Sequence, residues 1–304
     1  MTGSQTSVAI IGAGDIGGAT AQALAARDRV SRILIVDTTG SVAAGKALDI
    51  MQSGAVDGFH TRLEGTTDIS RIAGCDVCIV ADRVGPGSPE WQGEEGLALL
   101  TRLAANLADA PLVFAGTSQA DLLAAAAREA RVARNRLIGS VTEALASAVK
   151  GIVAMEGRCS PREVMLTVLG RPPAPARGAG AGFVVPWSEA SIGGYALERV
   201  LEQVQLTRME ARLPRLWPPG AYTLGLAAAR VTEAILESSR ATFAVMTLLD
   251  GEFGLSGRVA TVPALLSNSG IVHTRVPTLN TRERVLLGTA LGSAFRRTLQ
   301  TLSV

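Results

Sequence analysis

Val8-Ala9-Ile10-Ile11-Gly12-Ala13-Gly14-Asp15-Ile16-Gly17, continuing into an alanine-rich run, decides the fold of this chain. Four apolar residues in succession predict a strand buried on both faces, and the glycines that end it predict a tight turn into a helix. Each glycine has its own part in such a turn. Gly12 permits the bend, Gly14 lets a pyrophosphate approach the backbone, and Gly17 lets the helix pack close on the strand. Unpaired N–H groups at the helix start face the anion, so Gly12, Gly14, Asp15, Ile16 and Gly17 form a candidate dinucleotide cradle. Taken alone, the glycine pattern is also compatible with a plain structural turn.

A second apolar strand, Ile33-Leu34-Ile35-Val36, ends in Asp37, 20 residues beyond Gly17. A carboxylate there accepts hydrogen bonds from the ribose hydroxyls of NAD and repels the extra phosphate of NADP, and the following Thr38-Thr39 offers that phosphate no arginine. NAD is therefore the expected cofactor. At 304 residues, 47% hydrophobic and 18% charged, the chain can bury one large core or two lobes. Its 29 basic and 27 acidic residues are spread along the chain without the basic block that nucleic-acid binding needs. The polar stretch from Met1 to Ser7 is not a charged-then-apolar leader, and no apolar run approaches the roughly 18 residues of a bilayer span, so a cytoplasmic protein is expected. Cys75 and Cys78 form a Cys-x-x-Cys with no second pair and no nearby histidine; they read as buried strand cysteines, with no metal site expected.

Helices and strands then alternate. A helix is expected over 43–52, a connector and edge strand over 56–63, and a fourth parallel strand over 76–81. A helix over 97–107, a strand over 111–115, a helix over 120–130 and a short strand over 136–139 follow, giving a Rossmann doubly wound parallel sheet over 1–140. From 141 to 304 the pattern becomes an α+β lobe. It opens with a helix over 142–155 and a strand over 164–169, and a proline and glycine tract over 170–182 must be loop. Helices are expected over 191–210 and 221–236, an antiparallel pair over 243–249 and 259–266, and a last helix over 281–302.

The chain resembles the lactate/malate dehydrogenase family, most closely its lactate dehydrogenase-like malate dehydrogenases. The likeness is carried nearly end to end by the glycine turn with Asp37, by Ala43-Ala44-Gly45-Lys46-Ala47-Leu48-Asp49, Gly65-Thr66-Thr67-Asp68, Asn135-Arg136-Leu137-Ile138-Gly139-Ser140 and Val185-Pro186-Trp187-Ser188. Ile192-Gly193-Gly194, Tyr222, Asp250-Gly251-Glu252-Phe253-Gly254-Leu255 and Val262-Pro263 extend it. The resemblance implies hydride transfer between nicotinamide and a 2-hydroxy or 2-oxo acid, dimers or tetramers, and a site made of a histidine, an aspartate and arginines.

Those residues are missing at the matching positions. Where the resemblance expects Gly-x-His-Gly-Asp the chain reads Gly170-Arg171-Pro172-Pro173-Ala174, so Pro172 replaces the histidine, and the only histidines are His60 and His273. Where it expects Thr-x-Leu-Asp-x-x-Arg the chain reads Thr142-Glu143-Ala144-Leu145-Ala146-Ser147-Ala148. Leu145 and Ala148 thus replace the aspartate and arginine, and Glu143 points about 160° around the helix from position 145. The loop after the fourth strand carries Glu90, Glu94 and Glu95 and, from Val84 to Thr101, neither arginine nor lysine. Thr117-Ser118-Gln119 stands where Thr-Asn-Pro is expected, keeping Thr117 as a cofactor-side residue, and Ala81-Asp82-Arg83 replaces Thr-Ala-Gly, which sets Asp82 against the pyrophosphate.

Losing a general acid/base costs about 100-fold to 10,000-fold in rate, and losing a preorganised charge a similar factor. The leading expectation is therefore a pseudoenzyme: an NAD(H)-binding member without malate or lactate dehydrogenase activity, kept for regulation or assembly as a homo-oligomer or beside a partner subunit. An NAD-dependent oxidoreductase with a rebuilt site for another small molecule is the alternative, drawing on Glu90, Glu94, Glu95, Arg171 and Arg177 for charge and on Glu143, Tyr195 or Tyr222 for acid/base work. An interaction protein without nucleotide is the third reading.

Overall fold

The computed structural model describes residues 6–85, 87–172 and 182–292. The first half reads β1 (Ser7–Ile11), α1 (Asp15–Ala26), β2 (Arg32–Val36), α2 (Gly40–Asp57), β3 (Arg62–Thr66), β4 (Val77–Val80), α3 (Gly93–Asn106), β5 (Leu112–Phe114), α4 (Ala120–Arg128) and β6 (Leu137–Gly139). These strands lie parallel in the order β3-β2-β1-β4-β5-β6, the doubly wound dinucleotide arrangement, whose ligand crevice opens at the carboxyl ends of the strands where the order reverses. β1 sits at that reversal, pairing with β2 through Ile11 and Val36 and with β4 through Ile11 and Val80. The runs Ile33–Val36 and Val77–Val80 are buried throughout, as a sheet covered by helices on both faces requires.

The second half reads α5 (Val141–Gly157), β7 (Val164–Met165), β8 (Leu169–Gly170), β9 (Phe183–Val184), β10 (Ser191–Ile192), β11 (Tyr195–Ala196), α6 (Leu197–Val200), α7 (Gln203–Arg212), α8 (Ala221–Leu236), β12 (Thr242–Asp250), β13 (Ser256–Ser267), β14 (Gly270–Thr274) and α9 (Thr281–Leu291). β12 pairs antiparallel with β6 at Met246 and Gly139, so the parallel sheet continues through β12, β13, β8 and β9. α8 lies against α1, and a Cβ at Gly225 would fall 2.5 Å from the Ala19 methyl, which only glycine allows.

Several local expectations need correction. The segment read as a connector from 56 begins inside α2, which runs to Asp57, and the edge strand is Arg62–Thr66. The expected strand over 164–169 is two short strands in different sheets, β7 with β10 and β8 with β13. The expected helix over 191–210 is a β10–β11 hairpin at Gly193-Gly194, both glycines at positive φ, then α6 and α7. β14, a third strand against β13, went unanticipated. Much of the proline and glycine tract, with Arg177, and the end of the expected last helix lie outside the described residues.

Candidate functional site: the cleft at the carboxyl edge of the parallel sheet

Gly12 follows β1 at φ 114°, a conformation that suits glycine, and a Cβ on it would lie 2.1 Å from the Asp82 carbonyl oxygen. Its N–H donates to the Val36 carbonyl at 2.7 Å, and Gly14 N–H donates to the Asp82 carbonyl at 2.9 Å, so the turn is tied to the ends of β2 and β4. A Cβ on Gly17 would meet the Gly12 carbonyl oxygen at 2.1 Å, which is the close helix-to-strand approach read from the sequence. Asp15 and Ile16 open α1, Asp15 exposed and Ile16 buried.

The cap residue of α1 is Gly14, which has no side chain to satisfy the first N–H groups of the helix. Asp82 does so instead. Its Oδ1 accepts from Gly17 N–H at 2.9 Å, and its carboxylate lies 2.3 Å from where a Gly14 Cβ would be. Lys46, on α2, donates from Nζ to the Gly14 carbonyl at 2.8 Å and brings a cation to the same turn.

Asp37 stands at the end of β2, where the sequence places it, and is buried. One carboxylate oxygen accepts from the N–H of Ala13 at 2.7 Å and of Val84 at 3.2 Å, the other from Thr39 N–H at 2.9 Å. It braces the turn and also holds the residue two beyond Asp82.

Beyond β5, Thr117 donates from its N–H and its hydroxyl to Glu90 Oε1, both at 2.8 Å, and Ser118 N–H donates to Glu90 Oε2 at 2.6 Å. Glu90 is therefore neither free nor poised over a substrate; it is buried against the β5–α4 turn. Glu94 and Glu95 lie exposed in the first turn of α3, where the helix dipole favours carboxylates. Glu95 pairs with Arg83 at 2.5 Å, and the Arg83 guanidinium also stacks 5.0 Å from the Trp91 ring centre. Sequence reasoning marked Asp82 but missed Glu90 as an anchor, since no spacing signals a loop carboxylate folding onto a backbone turn.

Leu145, Ala148 and Pro172, which the sequence reading matched to the aspartate, arginine and histidine positions, carry no ionisable side chain. Leu145 is fully buried in an apolar cluster with Val149, Val168, Val185 and Ala244, Ala148 is partly buried, and Pro172 is buried. Arg171 pairs with Asp121. His60 is exposed and bonds Asp28 at 3.1 Å, while His273 lies on β14 opposite Leu265, so neither is in the crevice.

Glu143 accepts from Ala244 N–H at 3.0 Å and Thr142 donates its hydroxyl to the Ala244 carbonyl at 2.8 Å, so the start of α5 is stitched to β12. Burial raises the Glu143 carboxyl above the usual range, against the pull of Lys150 and Arg230. Tyr195 and Tyr222 are 67% and 83% exposed. Cys78 is buried in β4, as expected, and Cys75 partly so; burial pushes the Cys75 thiol up to about 12 and Cys78 well above its ordinary value, leaving both thiols protonated near neutral pH.

Residues 6–109 match the family model described as lactate/malate dehydrogenase, NAD binding domain. The chain is 26% identical to a malate dehydrogenase of Cytophaga hutchinsonii over 300 residues, covering 93% of this chain and 94% of that one. It is 29% identical to a malate dehydrogenase of Methanosarcina mazei over 280 residues, covering 87% and 89%. Among solved structures, malate dehydrogenase from Salinibacter ruber superposes with a TM-score of 0.83 at 24% identity, covering 98% of each chain. Lactate dehydrogenase from Cryptosporidium parvum, solved with lactic acid and nicotinamide adenine dinucleotide, gives 0.84 at 20% identity over 99% of this chain and 98% of that one.

Proposed function

We propose that the chain is a member of the lactate/malate dehydrogenase family that takes NAD in its first half, does not turn over malate or lactate, and serves in regulation or assembly. The observation that carries the proposal is the apolar packing of Leu145, the residue matched to the orienting aspartate. Leu145 is sealed in an apolar cluster, Pro172 stands where the proton carrier would be, and the chain's two histidines lie elsewhere. A hydride transfer to or from a 2-oxo acid needs a proton delivered to the developing alkoxide and a cation to hold the carboxylate, and among the described residues Leu145, Ala148 and Pro172 supply neither.

The rebuilt-site alternative finds less support in the geometry. Glu90, Glu95 and Arg171 are engaged within the chain, and Tyr195 and Tyr222 stand largely in solvent. Among the described residues no helix is long and apolar enough to cross a membrane. The proposal includes a homo-oligomer or a partner subunit, supported by the exposed apolar residues Leu48, Met51 and Val56 of α2.

The test is a stopped assay with NAD(H) against malate, oxaloacetate, lactate and pyruvate, run beside light scattering for the assembly state. The expected rate lies below about 0.01 per second, about 100-fold under the lower end of the 1 to 1000 per second of ordinary enzymes. Turnover within that ordinary range ends the proposal.

A further inference from the structure

The connection between β4 and α3 lays its own groups along the nucleotide crevice at three points. Asp82 takes the N–H of Gly17 at the start of α1, Val84 donates its N–H to Asp37 at the end of β2, and Glu90 takes the N–H groups of Thr117 and Ser118 before α4. These are the turns at the carboxyl ends of β1, β2 and β5, which bracket the reversal of strand order. Two of them present backbone N–H groups of the kind that bind phosphate or carboxylate, and each already holds a carboxylate from this chain.

The fit to NAD is accordingly divided. The glycine turn and Asp37 are built for a dinucleotide, yet a diphosphate approaching Gly14 as the motif requires would enter the volume of the Asp82 carboxylate, which lies 2.3 Å from the Gly14 Cβ position. The conflict is electrostatic as well as steric, since Asp82 is 8% exposed and an anion brought beside it would meet a like charge out of water.

The same connection is braced from within. Arg83 donates its backbone N–H to the Pro89 carbonyl at 2.7 Å, its Nε to the Ser88 carbonyl at 3.1 Å and its guanidinium to Glu95, over the ring of Trp91. One cost of this arrangement is visible: the buried indole N–H of Trp91 has no hydrogen-bond partner among the described residues.

We infer that Asp82 is an internal stand-in for the diphosphate, and that nucleotides bind this chain only as Asp82 is displaced from Gly17. The inference rests on the NAD reading of the turn, and it concerns affinity rather than turnover, so it fails separately from the proposed loss of dehydrogenase activity. Adenosine, which carries no phosphate, avoids the conflict; ADP and NADH meet it.

Calorimetric titrations of the full chain with ADP, adenosine and NADH test it, on the wild type and on Asp82→Gly. Asp82→Ala, which removes the whole carboxylate and keeps only the Cβ, serves in the same role if Asp82→Gly does not fold. The wild type is expected to bind ADP no more than about threefold more tightly than adenosine. The variant is expected to gain at least about tenfold for ADP and NADH, while its adenosine affinity stays within about threefold. An ADP affinity equal in wild type and variant, measurable or not, overturns the inference. So does a wild type that already binds ADP tenfold more tightly than adenosine.

Discussion

The Asp82 carboxylate and the N–H of Gly17 meet at 2.9 Å across 65 residues of chain, so the first turn of α1 is capped from the end of β4 and not from its own cap residue, Gly14. This joins the two strands on either side of the crevice. It also makes the space around the glycines interdependent, because the volume left free by Gly14 is the volume Asp82 uses.

An alanine series measures that dependence. Gly14→Ala must push the Asp82 carboxylate off its site and is expected to cost about 1–2 kcal/mol in urea unfolding, with most of the cost removed in an Asp82→Gly background. Gly17→Ala drives its Cβ toward the Gly12 carbonyl oxygen, a backbone atom at 2.1 Å, and is expected to cost about 3 kcal/mol or more in either background. Additive behaviour of Gly14→Ala with Asp82→Gly contradicts this account.

Glu252 supplies a pH dependence. Burial pushes its carboxyl up, but the Asp250 N–H at 2.6 Å, Arg134 at 2.6 Å and the Thr274 hydroxyl at 2.9 Å outweigh burial and hold it at about 2, below the ordinary 4.5. A depressed carboxyl stabilises the fold above its unfolded value, and that contribution is lost as pH falls from about 4.5 toward 2. Glu252→Gln is expected to be less stable by about 2 kcal/mol at pH 7, with the difference shrinking by pH 3. Melting curves across that range check it, and a difference that stays constant speaks against the assignment.

The parallel half was legible because its strands are buried on both faces and spell themselves as continuous apolar runs, while Gly12 and Asp37 occupy positions where few other residues serve. The second half was less legible for a physical reason. β7, β8, β10 and β11 are two-residue strands, set by what Ile192, Leu169 and their neighbours pack against and too short to carry a period. The burial of Leu145 and Pro172 agrees with their apolar character. The partner of Glu90 could not be read from the sequence, since a carboxylate's choice between solvent and the Thr117–Ser118 turn is decided by the folded connection.

Glu143 titrates in the opposite sense to Glu252. Its carboxyl is raised by burial, so its ionised form is penalised in the folded state; stability is retained below the unfolded value of about 4.5 and lost as pH rises from there through the raised folded value. Glutamine keeps an acceptor for Ala244 N–H without the charge. Glu143→Gln is therefore expected to melt higher than the wild type at pH 7 and within about 1 °C of it at pH 4. A lower melting temperature at pH 7 would mean that Lys150 and Arg230 outweigh burial.

Leu145 decides whether the family's orienting carboxylate can be put back. The side chain is fully buried among Val149, Val168, Val185 and Ala244, and Pro172 is the residue the sequence reading matched to its histidine partner. Leu145→Ala removes packed methyl groups and is expected to cost about 2–5 kcal/mol. Leu145→Asp removes the same contacts and adds a carboxyl without a partner, so it is expected to cost at least as much, about 3 kcal/mol or more, and to do so increasingly as pH rises and the carboxyl is forced to ionise. Neither variant is expected to gain malate or lactate turnover, since an orienting carboxylate does nothing without an imidazole to hold. Urea unfolding of the two variants at pH 5 and pH 8 distinguishes a rebuilt apolar core from an intact pocket that has merely lost a residue: the core reading requires Leu145→Asp to weaken relative to Leu145→Ala between the two pH values, and an aspartate tolerated equally at both would mean that water reaches position 145.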